Sequence, residues 1–277
     1  MDRHGPLGMT SARVLVVLPT LGERLDTLEE TFASIEEQRS GVGLRVVLVA
    51  PESATGARDL AHRYGATIVD DPRAGMSAAM NAGIAAADGE TYYAWMGDDD
   101  KYRPEGLATL ARMLDEDARA AVAYGGCDYI DPAGRVIGTS AAGRLARWLL
   151  PWGPDLVPNP AAMIRLDALR SAGEFDVRLR YAMDLDMFLR LRPHGRFVST
   201  RRVVAAFRWH PDSLTVANRA ASSQESEAVK RRHLPAPLRP LSPLWDLPVR
   251  WASRQAAVAV SRRAHSIARS QEVPNAG

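Results

Sequence analysis

The sequence predicts an α/β fold, with a mostly parallel, Rossmann-like sheet flanked by helices and a second half of α+β character. Three observations predict it. Short continuous apolar runs alternate with helical-period stripes over residues 12–125. The alternation stops beyond residue 126, where hairpin-like and mixed segments take over. A run of acids, Asp98-Asp99-Asp100, directly follows the fourth apolar run. With 277 residues, 46% of them hydrophobic and 25% charged, the chain can bury one sizeable core without staples.

The elements follow in order. Arg13 to Pro19 is a continuous apolar run of the kind carried by strands covered on both faces. Leu25, Leu28, Phe32 and Ile35 then recur at helical spacing. Leu44 to Val49 is a second buried strand, Leu60, Ala61 and Tyr64 mark a helix, and Ala66 to Val69 a third strand. Met76, Met80, Gly83, Ile84 and Ala87 form the next helical stripe, and Thr91 to Met96 the fourth strand. Leu107, Leu110, Ala111 and Leu114 predict a helix with Pro104 near its first turn, and Val122 to Tyr124 a fifth strand. Right-handed crossovers make such a sheet mostly parallel, and ligands bind beyond the carboxyl ends of its strands. In the second half, Cys127 to Ile130 and Arg135 to Thr139 flank the turn Asp131-Pro132-Ala133-Gly134. Ala161 to Arg165 reads as a strand, Asp167 to Ala172 and Met183 to Arg192 as helices, Val198 to Phe207 as extended chain, and Ser222 to Arg232 as a polar helix. From Leu234 prolines crowd a linker, followed by Trp245, Trp251 and several arginines.

Charge and cysteine content exclude several classes. A net charge of +2 argues against a nucleic-acid binder with a whole-chain basic footprint. The single cysteine, Cys127, excludes an intrachain disulfide or a cysteine zinc cluster. No apolar run approaches the roughly 20 residues of a membrane-spanning helix, and Val14 to Leu18 is too short for a signal-peptide core. A cytoplasmic protein is expected, or one peripheral on the inner face of the membrane. The basic segment Trp245 to Ser270 could form amphipathic helices on anionic lipid, pack on the main domain, or be a partly disordered end.

Three adjacent carboxylates repel one another, and at a buried strand end they call for a cation or for well-placed donors. Oxygen ligands at this density suit Mg²⁺ or Mn²⁺ shared with substrate phosphates. The alternative is a solvated loop capping the helix beyond Pro104.

Several segments in order resemble family 2 inverting glycosyltransferases, which have the GT-A fold. They are Pro19-Thr20-Leu21-Gly22-Glu23-Arg24; Gly75 to Gly83 with Ala87-Asp88-Gly89-Glu90; Gly97-Asp98-Asp99-Asp100 with Tyr102 and Pro104; Met183-Asp184-Leu185-Asp186; and Arg208-Trp209-His210-Pro211-Asp212-Ser213. The resemblance covers residues 12–232. It implies a nucleotide-sugar-binding half at 12–125, an acceptor half at 126–232, and a linker with a basic tail at 233–277. It implies a metal-dependent, inverting transfer from a nucleotide-diphosphate sugar, most readily a UDP- or dTDP-sugar. The acceptor would be a saccharide or lipid-linked saccharide, in cell-surface glycan synthesis.

The resemblance also implies roles. Asp98, Asp99, Asp100 and His210 are the metal candidates. Asp99 is favoured by spacing to Pro104, and strand alternation offers Asp98 with Asp100 instead. Asp184 would be the base that deprotonates the acceptor hydroxyl, with Asp186 as the runner-up. Thr20, Glu23, Glu52, Asp70, Arg73, Asn81 and Asp98 would hold the donor, Arg73 either on a phosphate or on Asp70 or Asp71. Ala50-Pro51-Glu52-Ser53 departs from the Asp pair that commonly closes the family's second strand, which leaves Glu52 to meet the nucleobase. Trp152 and Trp209 are candidates for stacking on an acceptor sugar. Two rivals stand beside this reading. A nucleotidyltransferase would need a Gly-rich, lysine-containing loop after the first strand, which Thr20 to Arg24 does not supply. A non-catalytic glycan- or partner-binding module would have no need of a base.

Overall fold

The computed structural model describes residues 12–140, 143, 145–153, 156–209, 218–251 and 255. The first half runs β1 (Val14–Pro19), α1 (Leu25–Glu36), β2 (Leu44–Ala50), α2 (Thr55–Arg63), β3 (Thr67–Asp70), α3 (Met76–Ala85) and β4 (Tyr92–Trp95). β5 (Lys101–Tyr102), α4 (Gly106–Glu116), β6 (Ala120–Ile130), β7 (Val136–Ser140) and α5 (Ala146–Leu149) follow. The rest comprises β8 (Ala162–Arg165), α6 (Leu166–Ala172), α7 (Met183–Leu191), β9 (Arg196–Arg208) and α8 (Arg219–His233). A last helical stretch covers 243–251.

Among the described residues the strands form one sheet in the order β3-β2-β1-β4-β8-β6-β9-β5, with β7 hydrogen-bonded to β6. β3, β2, β1 and β4 are mutually parallel, as helical crossovers require. β8 enters antiparallel between β4 and β6, and β9 runs parallel to β6.

Both faces of the sheet are covered at β1, β2 and β4, which is why these strands are almost wholly apolar. Val14, Val16 and Leu18 face α1 and α4 through Leu28, Phe32, Leu107 and Leu110. Leu15 and Val17 face the other way, with Met80 of α3 and Leu185 and Phe188 of α7. The alternation of even and odd residues is the pleat of the strand made visible in the core. Gly83 lets α3 lie close on β1, because a Cβ there would collide with Val17 Cγ1.

The sequence-based elements differ from the structure at three places. Val122–Tyr124 and Cys127–Ile130 are not two strands but parts of β6, which continues through Gly125-Gly126 with register shifts against β9. β5 was not expected. It is only two residues long and owes its existence to pairing with Ala205 and Ala206 of β9. Pro104 lies just outside α4, whose first turn is preceded by Glu105 in a left-handed conformation with φ 56°.

Candidate active site

β1 and β4 are adjacent and parallel, so the residues that leave their carboxyl ends meet. Thr20 donates its hydroxyl to Asp98 Oδ2 at 2.6 Å and accepts the Gly22 N–H at 2.9 Å. Arg24, at the entry to α1, reaches back over the same edge. Its Nη2 lies 2.6 Å from Asp98 Oδ1 and its Nη1 2.6 Å from Asp99 Oδ2. Two carboxylates thus share one cation. Burial raises the Asp98 carboxyl above its usual range, although Thr20 and Arg24 oppose the shift.

Asp100 goes elsewhere. The chain turns after Gly97, with the Asp100 N–H bonded to the Gly97 carbonyl, so strand alternation no longer governs direction. Asp100 Oδ1 accepts the Arg208 N–H at 2.9 Å, and its carbonyl accepts the Thr31 hydroxyl at 2.8 Å. Only 4% exposed, it lies beneath the turn, and burial and the neighbouring Asp99 push its carboxyl well up. The expected alternative of Asp98 with Asp100 is therefore corrected: Asp98 and Asp99 face a common cation, and Asp100 is interior. A side chain at Gly97 would meet the carboxylates of Asp100 and Asp99 at 2.9 and 3.2 Å, so the small residue leaves them room in this turn. His210 lies outside the described residues. Among the described residues no three His, Cys, Asp or Glu side chains converge as a metal site. The remaining pair is all oxygen and already faces a positive charge, which fits Mg²⁺ or Mn²⁺ better than zinc.

Arg208, at the end of β9, clamps this turn. Its Nε donates to the Asp99 carbonyl at 2.9 Å, its Nη1 to the Pro132 carbonyl at 2.6 Å and its Nη2 to Glu30 Oε2 at 2.6 Å. Neither Arg24 nor Arg208 was singled out individually by sequence reasoning. The available signal was the position of Arg24 in the loop after β1 and of Arg208 at the end of β9.

The second cluster surrounds Asp184, in the first turn of α7. Its Oδ1 accepts the Leu185 N–H at 2.8 Å. Burial raises its carboxyl, while the Leu185 N–H and the Asn159 side chain pull the other way. Asn159 had no role assignable from sequence. Its Oδ1 accepts the indole N–H of Trp95 at 2.6 Å, which leaves the amide N–H₂ as the group facing Asp184. Trp95 ends β4, three residues before Asp98. A short chain of hydrogen bonds, from Trp95 through Asn159 to Asp184, therefore runs from the end of β4 to the candidate base. Asp186, the runner-up, is engaged elsewhere. Arg190 holds its Oδ2 at 2.8 Å and His233 its Oδ1 at 3.1 Å. Burial would raise its carboxyl, but these partners hold it below the ordinary value.

The other donor candidates are dispersed. Glu23 and Glu52 are exposed on the loops after β1 and β2. Asp70 ends β3 and pairs with Arg58 at 2.8 Å. The Arg73 N–H donates to Asp71 Oδ1 at 2.8 Å, and its guanidinium has no ion-pair partner among the described residues. Asn81 requires a correction. Its side chain does not face a ligand, because it is locked both ways to the Phe175 backbone, donating to the carbonyl and accepting the N–H at 2.9 Å each. Trp152 packs edge-on against Trp245 with centroids 5.1 Å apart, and Trp209 against Tyr129 at 6.0 Å.

A parallel α/β sheet with an acidic turn at its switch between β1 and β4, and a carboxylate at the start of α7, is the arrangement of a GT-A glycosyltransferase. The family model "Glycosyl transferase family 2" matches residues 15–158, and the chain belongs to that family. No curated protein matches the chain. Among solved structures, residues 1–349 of S. aureus TarS in complex with UDP-GlcNAc superpose with a TM-score of 0.61 at 14% identity, covering 80% of this chain and 70% of that one. The mannosyltransferase PcManGT from Pyrobaculum calidifontis, in complex with GDP-Man and Mn²⁺, gives a TM-score of 0.61 at 20% identity, covering 96% of this chain and 82% of that one. At these identities the likeness is one of fold.

Proposed function

We propose that this chain transfers a sugar, with inversion, from a nucleotide-diphosphate sugar to a hydroxyl of a saccharide or lipid-linked saccharide. The observation that carries the reading is the Asp98–Asp99 pair gathered on Arg24 beyond the carboxyl ends of β1 and β4, with the Trp95–Asn159 hydrogen bond leading from the end of β4 to Asp184. The nucleoside would rest along the carboxyl ends of β1, β2 and β3, near Thr20, Glu23, Glu52 and Asp70. The unpaired guanidinium of Arg73 suits a phosphate oxygen. Asp98 and Asp99 would hold Mn²⁺ or Mg²⁺, which when bound supplies charge compensation for the departing diphosphate. For that, Arg24 must release both carboxylates and is then free to turn to the phosphates. Asp184 would accept the acceptor hydroxyl's proton at a carboxylate oxygen as that hydroxyl attacks the anomeric carbon. Residues 12–125 would serve the donor and 126–232 the acceptor.

The donor and the base are tested separately. Ligands that bind only the folded state raise the melting temperature. Among UDP, GDP, dTDP and CDP, one nucleotide is expected to stabilise the protein, and only with Mn²⁺; no shift with any of them would count against the reading. Asp184→Asn is expected to keep that shift and to lower turnover by at least about 10²-fold. Its melting temperature should also rise. A carboxyl whose folded pKa is raised stabilises the fold below its unfolded pKa and loses that contribution as pH rises through the folded value, so at neutral pH its ionisation is a cost. Wild-type turnover in this variant would remove Asp184 as the base.

A further inference from the structure

The helix at 243–251 is turned the wrong way for a helix in water. Its polar residues face the protein. Asp246 is 4% exposed and accepts from Arg231 Nη2 at 3.2 Å, while Arg250 pairs with Glu227 of α8 at 2.6 and 2.9 Å. Most of its large apolar residues face outward, Trp245 excepted. Leu244, Leu247 and Trp251 are 71%, 60% and 66% exposed, and Pro248 is exposed between them. The spacing i, i+3, i+4, i+7 makes one continuous stripe along the helix. Surface helices ordinarily bury such a stripe, and an uncovered one marks an interaction surface.

A second exposed apolar group is tied to this helix. Leu145, Trp148 and Leu149, at and beside α5, stand out at 66%, 61% and 39%. The turn that follows α5 is joined to the helix by the Trp152–Trp245 ring contact, and to α8 by Lys230 Nζ on the Gly153 carbonyl. Beside Trp148 lies a cleft of about 570 Å³ whose lining includes Arg147, Arg192, Pro193 and His194. The Arg147 guanidinium stands over the Trp148 ring, 5.5 Å from its centroid, and donates to the Arg192 carbonyl at 3.0 Å. Arg192 Nε is buried with no hydrogen-bond partner, and neither arginine meets a carboxylate among the described residues. Two cations without counter-ions thus adjoin an apolar, tryptophan-bearing surface.

We propose that this surface docks the protein on an anionic phospholipid bilayer. The stripe and the α5 side chains enter the interfacial layer, and Arg147 and Arg192 take lipid phosphates. Amphipathic attachment combines buried apolar area with attraction of cations to anionic lipid, and tryptophan suits the interface. The charge of the following sequence agrees: beyond residue 251 stand Arg254, Arg262, Arg263 and Arg269 against Glu272 alone. No helix among the described residues is long and apolar enough to cross a membrane, and the proposed attachment is by this outer surface alone. The proposal does not rest on the transferase reading, and the nucleotide-induced thermal shift of the same variants reports on that reading independently.

The test is flotation of the full chain with vesicles of phosphatidylcholine alone and with an equimolar mixture of phosphatidylcholine and phosphatidylglycerol. The protein should float with the mixed vesicles and far less with the neutral ones. The variant Leu244→Ser/Leu247→Ser/Trp251→Ser should lose at least about tenfold of the bound fraction with its thermal unfolding unchanged. The pair Arg147→Gln/Arg192→Gln should narrow the preference for the anionic vesicles. If the triple variant does not fold, the milder Trp148→Gln/Trp251→Gln carries the same comparison. Absence of flotation, or equal flotation of a folded stripe variant, would overturn the proposal. So would a dimer in light scattering that the stripe substitutions dissociate, since the stripe would then be covered by a second copy.

Discussion

Single side chains decide the chemistry of this site through what they are bonded to. Asp98 and Asp99 are paired on Arg24, Asp100 is sealed under the turn, and Asp186 is spent on Arg190 and His233. Asp184, the proposed base, is raised by burial, and hydrogen-bond donors restrain the rise. Asn159 is one of those donors, and Trp95 fixes its orientation. Asn159→Leu removes the donor, so the Asp184 carboxyl should rise further, and the acid limb of the kcat/KM profile should move to higher pH. The maximal rate at high pH should change less than the position of the limb. An acid limb that stays in place would show that Asn159 does not act through Asp184.

At the scale of elements, strand ends and helix starts bring these residues together. The register of β1 with β4 sets Thr20 beside Asp98, and β9 carries Arg208 to the same turn. α7 is seated at its start by Glu225 of α8, whose carboxylate accepts the N–H groups of Arg180, Tyr181 and Ala182. α3 is pressed onto β1 at Gly83, and Asn81 on the same helix ties it to Phe175. Gly83→Ala should therefore lower stability by about 1–3 kcal/mol through overpacking against Val17 and Val49. Chemical denaturation would measure the loss, and an unchanged midpoint would mean that α3 can lift from the sheet at little cost. Continuous apolar runs and helical stripes made β1 to β4 and α1 to α4 legible. β5 and the continuity of β6 were not legible, because each depends on pairing with β9, from residues far along the chain.

For the whole molecule, one sheet crosses the boundary between the two halves. β4, from residues 12–125, takes its next neighbour, β8, from residues 126–232, and β6 is flanked by β8 and β9. Each half alone would expose strand edges that are internal in the full chain. Calorimetry of the full chain should therefore show one cooperative transition. Residues 12–125 alone should lack a cooperative melt, and a sharp transition in that fragment would mark it as a folding unit of its own.

The sequence by itself determined the order of elements, the two-sided burial of the first strands, the acidic turn at a strand end and the likeness to family 2 glycosyltransferases. All of these are local or nearly local: a period, a composition, a short motif. Only the tertiary structure decided which acids share a cation, which carboxylate of α7 pairs with Arg190 and His233 and which lies beside Asn159, and that Asn81 is bonded to the Phe175 backbone. Arg208 meets Glu30 across 178 positions and Phe175 meets Asn81 across 94. The direction of a side chain leaving a turn, and the partner it finds at such separations, are set by how the layers pack, and no local periodicity encodes that.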